Sequence, residues 1–550
     1  MHKEVYRYLR SKGYKCEINE KDECIYCNCI ISKKNITFKI VFPNEFPAKY
    51  VEIFIDDESK KGMLIPHIYK GGKLCLYDED ESSPNTIFYK EEVENTIQRA
   101  IKLIDDSINL RNLEDFRKEI VTRWEQNAKI KADVIFQPIN SPKILYAAGG
   151  KTYLVIAETK EKLSDYIKYT KGIDADFKIK KVLYIPLDDI ALILPPRDIN
   201  DIVKRMDEAK YGKFYYNYVA SNKEDPIIII SQIINTERIL LGIRQPSIRS
   251  SMVKVNNKTI KGILICQKDK ETKRIKINNF TRKRVFTRGG DGKNIENKNI
   301  AIVGCGSIGS ILTKSIIDVG ISSSISLIDN DILNSENIGR HLCGASEVGL
   351  YKTAAMKNEI LRHYPDTNMV LIDKNINDIL ENEIDILNKN DYIFIVVGNI
   401  TIEKRILRLL EEEKIIKPII IIWVEPYLIA GHAIICQRKI DKNTINSILD
   451  SSENFKVSVL QESWKYLKSE SGCQSAYAPY SGFEAQQFVN SFIDTFNKNF
   501  IENKIQGNYI YTKIGRIKWA RKNKMKIATD WIAKDDRYEK FVRIDNNEDI

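Results

Sequence analysis

Ten residues in the C-terminal half of the chain limit its fold more than any other segment. Positions 300–309 read Ile-Ala-Ile-Val-Gly-Cys-Gly-Ser-Ile-Gly. A short apolar run followed by closely spaced glycines predicts a buried strand that turns tightly into a helix. The backbone N–H groups at the start of such a helix favour a bound phosphate. The pattern therefore predicts a phosphate site around Gly304, Gly306 and Gly309.

The segment after residue 299 alternates between strand and helix patterns. Apolar runs occur at 325–329, 391–398 and 418–425, and helices are predicted from residue 308 and over 352–363. Parallel strands need crossover helices and are buried on both faces, so they read as continuous apolar runs. The alternation predicts a Rossmann-like domain with a mostly parallel sheet.

The length of the chain, 550 residues, suggests about three domains in an α/β multidomain protein. Residues 1–127 predict an α+β fold, with amphipathic helices at the start and over 90–108 and with strands between them. Pro138 and Pro142 break the pattern that precedes them. Residues 128–284 mix strands and helices without a chemistry-bearing motif and are interpreted as an α/β linker or partner-docking domain. Residues 285–550 form the third predicted domain.

Charge and composition exclude several classes of protein. The formal net charge is +11, from 86 basic and 75 acidic residues. This excess is spread over the chain, whereas a nucleic-acid surface needs basic residues clustered with aromatic ones, so no specific nucleic-acid partner is expected. No run of about 18 apolar residues predicts a membrane span, and the first residues lack the apolar core of a signal peptide. Ten scattered cysteines are expected to be free thiols of a cytoplasmic protein.

Charged residues follow the glycine segment at sequence spacings that are typical of a nucleotide site. Asp329 comes twenty residues after Gly309, at the end of the next predicted strand. A carboxylate at that position accepts hydrogen bonds from ribose hydroxyls. This much fits NAD and ATP equally. The sequence then continues Asp-Asn-Asp at 329–331 and Ser-Glu-Asn-Ile-Gly-Arg at 335–340, with Lys352 after a short glycine-containing loop.

The series Asp329, Asp331, Asn337, Arg340 and Lys352 resembles the pattern of the ThiF, MoeB and ubiquitin-activating superfamily. The resemblance implies that Arg340 and Lys352 grip the ATP phosphates and that Asp329 holds the ribose, with Asp331 and Asn337 in the same site. Fixed cations suit the formation of an acyl-adenylate, because they stabilise the charge that develops as pyrophosphate leaves. The implied cofactors are ATP and Mg²⁺.

Two features depart from parts of that superfamily. Gly398 stands where the family usually carries an aspartate at the end of a later strand. We therefore assign no metal-binding residue. Residues 300–550 also contain none of the paired C-x-x-C motifs that hold structural zinc in the sulfur-carrier branch. Their absence argues against a simple sulfur-carrier adenylyltransferase.

The segment Ser-Gly-Cys-Gln-Ser-Ala-Tyr-Ala-Pro-Tyr-Ser-Gly at 471–482 resembles the catalytic-cysteine loop of activating enzymes. The resemblance implies that Cys473 captures the activated acyl group as a thioester. Its glycines and proline suit a segment that swings over the adenylate. A thiolate is the attacking species in such a step. The alternative is a small cysteine buried in the core.

A second cysteine motif lies near the N-terminus. Phe-Pro-Asn-Glu-Phe-Pro at 42–47, followed by Ile-Pro-His at 65–67 and Gly-Gly-Lys-Leu-Cys-Leu at 71–76, resembles ubiquitin-conjugating enzymes. The resemblance implies that Cys75 accepts the acyl group. His67 stands eight residues before Cys75, where those enzymes have asparagine, and Ile65 replaces their histidine. His67 either donates to the oxyanion formed when an amine attacks the thioester or holds the loop.

The order of the two motifs in one chain resembles the bacterial fusion enzymes of CBASS anti-phage operons. These enzymes attach the C-terminus of a CD-NTase to target molecules. The resemblance implies a CD-NTase, or another protein whose C-terminus is activated, as one partner and an amine-bearing target as the other. It also implies a homodimer in which Arg288 reaches the ATP of the second copy, and no membrane partner.

Two other classes of function stay open at this point. An NAD-binding oxidoreductase explains the glycines and Asp329 but not Arg340, Lys352 and Cys473. A catalytically inactive scaffold with an adenylation fold explains Gly398 and the altered loop before Cys75. The first predicts nicotinamide binding, and the second predicts no ATP–pyrophosphate exchange.

Overall fold

A computed structural model describes most of the chain. The described residues are 1–19, 23–61, 63–69, 71–78, 82–126, 128–173, 176–188, 195–196, 198–222, 224–234, 237–248, 257–266, 272–289, 297–437, 439–449, 455–469 and 476–544. In 257–259, 287–289 and 476 only the backbone is described. Within these ranges no helix combines the length and the apolar character that crossing a membrane requires.

The chain divides into two compact units. The first unit comprises residues 1–132, 138–154 and 180–278. The second unit comprises residues 133–137, 155–179 and 279–550. The domain boundaries near residues 127 and 284 stay predictions.

The N-terminal part of the first unit has the α+β fold that the sequence predicts. Its elements are helix α1 (His2–Ser11), strands β1 (Lys15–Asn19), β2 (Cys24–Ile31), β3 (Lys34–Val41) and β4 (Glu52–Ile55), and helices α2 (Tyr89–Ile108), α3 (Leu113–Lys118) and α4 (Ile120–Glu125). The strands pair in sequence order as an antiparallel sheet. Val93, Ile97 and Ile104 form the buried face of α2, as their three- and four-residue spacing predicts. Strand β1 was not predicted, because its short polar sequence carries little periodic signal.

The middle region mixes strands and helices. Its elements are β5 (Ile130–Ile135), β6 (Lys143–Gly149), β7 (Tyr153–Ala157), α5 (Lys160–Lys171), β8 (Lys180–Pro186), α6 (Ile199–Glu208), α7 (Gly212–Ser221), β9 (Ile227–Ile234), β10 (Glu237–Arg244), α8 (Asn257–Cys266), β11 (Lys273–Asn279) and α9 (Arg282–Gly289). In the first unit, the paired strands run in the order β6-β8-β9-β10-β11. The run of isoleucines that opens β9 is fully buried, which explains its apolar sequence.

The C-terminal region has the predicted Rossmann-like architecture. Its elements are β12 (Asn299–Val303), α10 (Ser307–Asp318), β13 (Ser324–Ile328), α11 (Lys352–His363), β14 (Asn368–Ile372), α12 (Ile376–Asn382), α13 (Asp385–Asn388), β15 (Tyr392–Ile395), α14 (Ile400–Glu411), β16 (Ile419–Val424), β17 (Ala430–Cys436), α15 (Lys442–Ile448), β18 (Lys468–Ser469), β19 (Ala476–Tyr477), α16 (Gly482–Phe496), β20 (Asn508–Ile514), α17 (Ile517–Lys522) and β21 (Glu539–Arg543).

One large sheet organises this region, with the strand order β14-β13-β12-β15-β16-β17-β20-β21. The pairs from β14 to β16 are parallel, and the pairs from β16 to β21 are antiparallel. The strand order reverses direction at β12, which lies between β13 and β15. Ligands of open α/β sheets bind outside the carboxyl ends of the strands at such a switch point. The predicted phosphate turn follows β12 at this place.

Candidate active sites

The glycine turn after β12 uses each of its three glycines differently. Gly304 has φ of +95° and its Cβ position lies 2.6 Å from the carbonyl oxygen of Val396, so a side chain there is both strained and crowded. A Cβ on Gly309 would overlap the carbonyl oxygen of Gly304. Gly306, the N-cap of α10, faces open space. Two glycines therefore allow close packing, and the third leaves the helix N-terminus accessible to a phosphate.

Asp329 is held at the end of β13 by two backbone groups. Its Oδ2 accepts the N–H of Cys305 at 2.6 Å, and its Oδ1 accepts the N–H of Asp331 at 2.8 Å. The carboxylate thereby joins the glycine turn to the following loop. Each carboxylate oxygen has a further lone pair, so the geometry leaves Asp329 able to accept a ribose hydroxyl.

Lys352 opens helix α11 beside the same loop. Its Nζ lies 2.7 Å from Asp331 Oδ2, and its N–H donates to the Asp331 carbonyl at 2.9 Å. The lysine side chain is 12% exposed, whereas Asp331 is 63% exposed. A buried ammonium at a helix N-terminus adds to the positive end of the helix dipole and favours an anion. Its carboxylate partner reaches solvent and is able to move aside.

Arg340 lies between α10, the helix that follows the glycine turn, and the segment before α16. Its Nη1 donates to the Ala478 carbonyl at 2.9 Å, and its guanidinium lies 4.6 Å from the ring centroid of Tyr480. The Arg340 carbonyl accepts Ser307 Oγ at 2.7 Å. Asn337, three residues earlier, uses Oδ1 to accept the N–H of Asn334 at 3.0 Å and so caps a short 3₁₀ turn. Arg340 is thus fixed near the start of α10, while Asn337 shapes the loop that carries it.

Few of the described side chains at this site are suited to holding the Mg²⁺ that the resemblance implies. Asn399 caps α14, because its Oδ1 accepts the N–H groups of Thr401 and Ile402. Glu403 is 2% exposed, and this burial raises the pKa of its carboxyl to about 7. Hydrogen bonds from the backbone of Asn399 and Gly398 lower the pKa but are outweighed by burial. Among the described residues, no cluster of three or more His, Cys, Asp or Glu side chains is able to hold a metal. Mg²⁺ at nucleotide sites is commonly held by one or two carboxylates and the phosphates, and the exposed Asp331 is a carboxylate in the loop after β13.

Cys473 lies outside the described residues, but both flanks of its segment are anchored to one turn after β16. The buried Glu425 accepts the N–H groups of Val459 and Leu460 at 2.6 and 2.8 Å. The N–H of Tyr427 donates to the carbonyl of Pro479. His432 Nε2 lies 2.9 Å from Glu425 Oε1 and braces that carboxylate. The sequence did not single out Glu425, because the backbone groups that it binds lie more than thirty residues away.

Arg288 lies in α9, but its side chain is outside the described part of the chain. Its predicted role toward a second copy therefore stays a prediction.

Cys75 closes a small hairpin in the first unit. Its N–H donates to the His67 carbonyl at 2.7 Å, and Ile68 and Leu74 form a bridge. Gly72 has φ of +90°, and a Cβ there would overlap the Ile55 carbonyl oxygen. The half-buried Cys75 Sγ accepts the Tyr69 hydroxyl at 3.7 Å and donates to the Tyr77 carbonyl at 3.9 Å. The sulfur is therefore neither sealed in the core nor remote from polar groups.

His67 is turned toward helices α3 and α4. Its Nδ1 lies 2.7 Å from Glu119 Oε1, its Nε2 lies 3.8 Å from Asp115 Oδ2, and its N–H donates to Glu119 at 2.9 Å. The hydrogen bond to Glu119 raises the pKa of His67. The backbone of His67 has φ of +55°, a conformation that few side-chain-bearing residues adopt. Glu119 thus fixes both the backbone and the ring, which favours the loop-holding interpretation of His67.

The other N-terminal cysteines belong to the sheet. Cys16 and Cys27 are cross-strand partners, and Cys27 Sγ lies 3.9 Å from Cys29 Sγ. Cys27 and Cys29 therefore lie on the same face of β2. Cys16 and Cys27 are buried free thiols.

Comparison with protein families identifies both halves of this arrangement. The model of the ThiF family matches residues 280–425, and the model of prokaryotic E2 family B matches residues 10–132. The chain joins a prokaryotic E2-like domain to a ThiF-family domain. The glycine turn, Asp329, Arg340 and Lys352 lie in the ThiF-family domain, and Cys75 lies in the E2-like domain.

Curated relatives match a part of this chain. The chain is 30% identical over 94 residues to the ATP-dependent ubiquitin transferase-like protein Cap2 of Enterobacter hormaechei, which is 17% of this chain and 16% of that protein. It is 32% identical over 100 residues to Cap2 of Pseudomonas aeruginosa, or 18% of each protein. The matched segments thus span less than a fifth of the length of these two relatives. A crystal structure of E. coli MccB with AMPCPP and MccA is 15% identical with a TM-score of 0.32, over 45% of this chain and 64% of that one.

Proposed function

We propose that this chain activates the C-terminus of a protein with ATP and attaches it to an amine through two thioesters. The observation that carries the proposal is the presence, in one polypeptide, of a ThiF-family domain with fixed cations at its phosphate turn and an E2-like domain with a half-buried Cys75. An adenylation domain supplies an activated acyl group, and a conjugating-like domain consumes one. The likeness to Cap2 supports the same assignment.

In the first step a C-terminal carboxylate attacks the α-phosphorus of ATP. A bond forms between the carboxylate oxygen and phosphorus, and pyrophosphate leaves with the electron pair. Arg340 and Lys352 are assigned to the phosphates, Asp329 to the ribose, and the N–H groups near Gly306 to the negative charge. Mg²⁺, when bound with the phosphates, neutralises part of their charge, and Asp331 is the residue we assign to it. Lys352 then loses its contact with Asp331 in favour of the phosphates.

In the second step the Cys473 thiolate attacks the acyl carbon of the adenylate and AMP leaves. The Cys75 thiolate next attacks the thioester and releases the Cys473 thiolate. An amine finally attacks the Cys75 thioester to give an amide. Dividing acyl transfer between two sulfur nucleophiles keeps each barrier modest.

The likeness to Cap2 and the resemblance to the CBASS fusion enzymes support a proposal for the partners. We assign a CD-NTase as the protein whose C-terminus is activated and place the reaction in anti-phage defence, in the cytoplasm. The assignment includes a homodimer with Arg288 directed at the ATP of the second copy.

The test is a thioester assay with the CD-NTase encoded beside this chain. The full chain, ATP and that CD-NTase are incubated, and adducts are separated on non-reducing gels with and without a thiol. We expect two thiol-sensitive adducts in the wild type, none in Cys473→Ala, and one in Cys75→Ala. Adducts that survive both substitutions contradict the proposed order. ATP–pyrophosphate exchange that is absent with every C-terminal peptide favours the inactive scaffold instead.

A further inference from the structure

The hairpin that carries Cys75 also directs a tyrosine hydroxyl at the same sulfur. Tyr69 Oη donates to Cys75 Sγ over 3.7 Å. The backbone of Tyr69 is fixed, because its N–H donates to the Lys73 carbonyl at 2.8 Å and its carbonyl accepts the N–H of Gly72 at 3.1 Å. Tyr69 and Cys75 are diagonal neighbours across the hairpin, a spacing that aromatic side chains bridge. The hydroxyl is thus held near the reacting atom by the fold of the loop.

The ring of His67, which lies directly opposite Cys75, is engaged elsewhere. Nδ1 pairs with Glu119 and Nε2 faces Asp115. Reorienting the ring toward an acyl group at Cys75 would break the 2.7 Å contact with Glu119. The hydroxyl of Tyr69, by contrast, already contacts the sulfur.

We propose that the Tyr69 hydroxyl is the hydrogen-bond donor that stabilises the oxyanion formed when an amine attacks the thioester on Cys75. The inference rests on the proposed role of Cys75. The carbonyl oxygen of a thioester is two bonds away from its sulfur, so a donor that contacts the sulfur is close to that oxygen. A phenol is a neutral O–H donor near neutral pH, and it gains strength as the oxygen becomes negative.

The step balances without another reagent. The amine nitrogen forms a bond to the acyl carbon while the C=O π electrons move to oxygen, where the Tyr69 O–H donates. As the carbonyl re-forms, the C–S bond breaks and its electron pair leaves with Cys75 sulfur. The proton lost by the amine ends on the Cys75 thiolate or in water. Tyr69 keeps its own proton throughout.

The side chain of Tyr69 is 51% exposed, which suits a donor that must meet an incoming chain end. Because the ring packs little, Tyr69→Phe removes the hydroxyl with little effect on folding. Tyr8→Phe is the matched control. It removes a hydroxyl from the same unit, where Tyr8 Oη donates to Glu94 at 2.7 Å.

The experiment measures discharge of the Cys75 thioester in the full chain. The enzyme is charged with ATP and the CD-NTase, ATP is removed with apyrase, and hydroxylamine is added as the amine. Loss of the adduct is followed on non-reducing gels for the wild type, Tyr69→Phe, Tyr8→Phe and His67→Asn. We expect discharge to slow by about 10- to 100-fold in Tyr69→Phe, because one oxyanion donor is lost at a partly solvated site. Tyr8→Phe is expected to match the wild type, and His67→Asn to lose less than Tyr69→Phe.

Each other outcome has a distinct meaning. Discharge of Tyr69→Phe at the wild-type rate overturns the inference and leaves the thioester mechanism intact. A larger loss in His67→Asn than in Tyr69→Phe returns the donor role to His67. Equal slowing in Tyr69→Phe and Tyr8→Phe means that hydroxyl removal acts through folding, which also overturns it. Absence of any Cys75 adduct in the wild type refutes the proposed function itself.

Discussion

The guanidinium of Arg340 donates to the carbonyl oxygen of Ala478 at 2.9 Å, across 138 residues of sequence. The same side chain lies over the ring of Tyr480. Arg340 thus connects the loop between β13 and α11 to the segment that follows Cys473 in the chain. We assign this guanidinium to the ATP phosphates. The cation that is proposed to bind the nucleotide therefore also contacts the segment after Cys473.

Arg340→Ala is expected to lower ATP–pyrophosphate exchange by about 100-fold or more, because a cation at the developing charge is lost. Arg340→Lys keeps the charge but not the planar fork, so its loss is expected to be smaller. Exchange of radioactive pyrophosphate into ATP, measured with the CD-NTase present, checks both. Arg521→Ala, which removes an exposed guanidinium bonded to a backbone carbonyl, is expected to leave exchange unchanged. Full exchange in Arg340→Ala contradicts the phosphate assignment.

Alanine substitutions at two positions of the glycine turn are expected to differ in their effect on folding stability. Gly309→Ala places a Cβ against the Gly304 carbonyl oxygen and is expected to cost about 1–3 kcal/mol of folding free energy through overpacking. Gly306→Ala meets open space, so we expect a loss below about 1 kcal/mol. Urea unfolding followed by circular dichroism measures both. Equal stability of the two variants would show that helix α10 packs against the turn less closely than described.

Because Glu403 is buried, the folding stability of the protein is expected to fall as the pH rises. Burial raises its pKa to about 7 from 4.5, and Oε1 has no hydrogen-bond partner among the described residues. The folded state therefore holds a proton that the unfolded state releases between these values, and stability drops across that window. Glu403→Gln carries no titrating group, so it is expected to be more stable than the wild type by about 3 kcal/mol at pH 8.

The difference between Glu403→Gln and the wild type should shrink as the pH falls to 4.5 and vanish below it, where the wild-type carboxyl is protonated in both states. Thermal melts of the two proteins at pH 5 and pH 8 provide the comparison. A variant that is less stable than the wild type at pH 8 would mean that Glu403 is ionised in the folded state.

The contact between His67 and Glu119 is expected to make the folding stability of the first unit depend on pH as well. Its hydrogen bond raises the pKa of His67 above 6.5, so the folded state binds a proton more tightly than the unfolded state. The stabilisation is complete below pH 6.5 and is lost as the pH rises through the raised folded value. Glu119→Gln removes the charge while keeping an acceptor for the His67 N–H.

We therefore expect Glu119→Gln to be destabilised more at pH 6 than at pH 9. Denaturant unfolding at both pH values measures the change, and His67→Asn serves as the control because it removes the titrating ring. A destabilisation that is independent of pH would assign the role of Glu119 to its backbone contacts alone.

The architecture of the ThiF-family domain and the α+β fold before it could be predicted from the amino-acid sequence. Both follow from local patterns: apolar runs that alternate with helices after residue 299, glycines at 304 and 309 that pack too closely for a side chain, and the buried face of α2 at helical spacing. The motif of Cys75 is also recognisable, because its three segments follow one another within residues 42–76. The assignments of Cys473, Cys75, Arg340 and Lys352 to catalysis stay predictions.

Which distant side chains contact one another could not be predicted without the folded structure. Glu119 holds His67 from 52 residues away, and Glu425 binds the N–H groups of Val459 and Leu460 from 34 and 35 residues away. Periodicity reports which face of an element is buried, but it carries no information about which distant element covers that face. Such contacts depend on how helices and strands pack, so the contact of the His67 ring with Glu119 emerges only from the folded chain. The contact of the Tyr69 hydroxyl with Cys75 spans six residues and depends on the tight turn over 69–72.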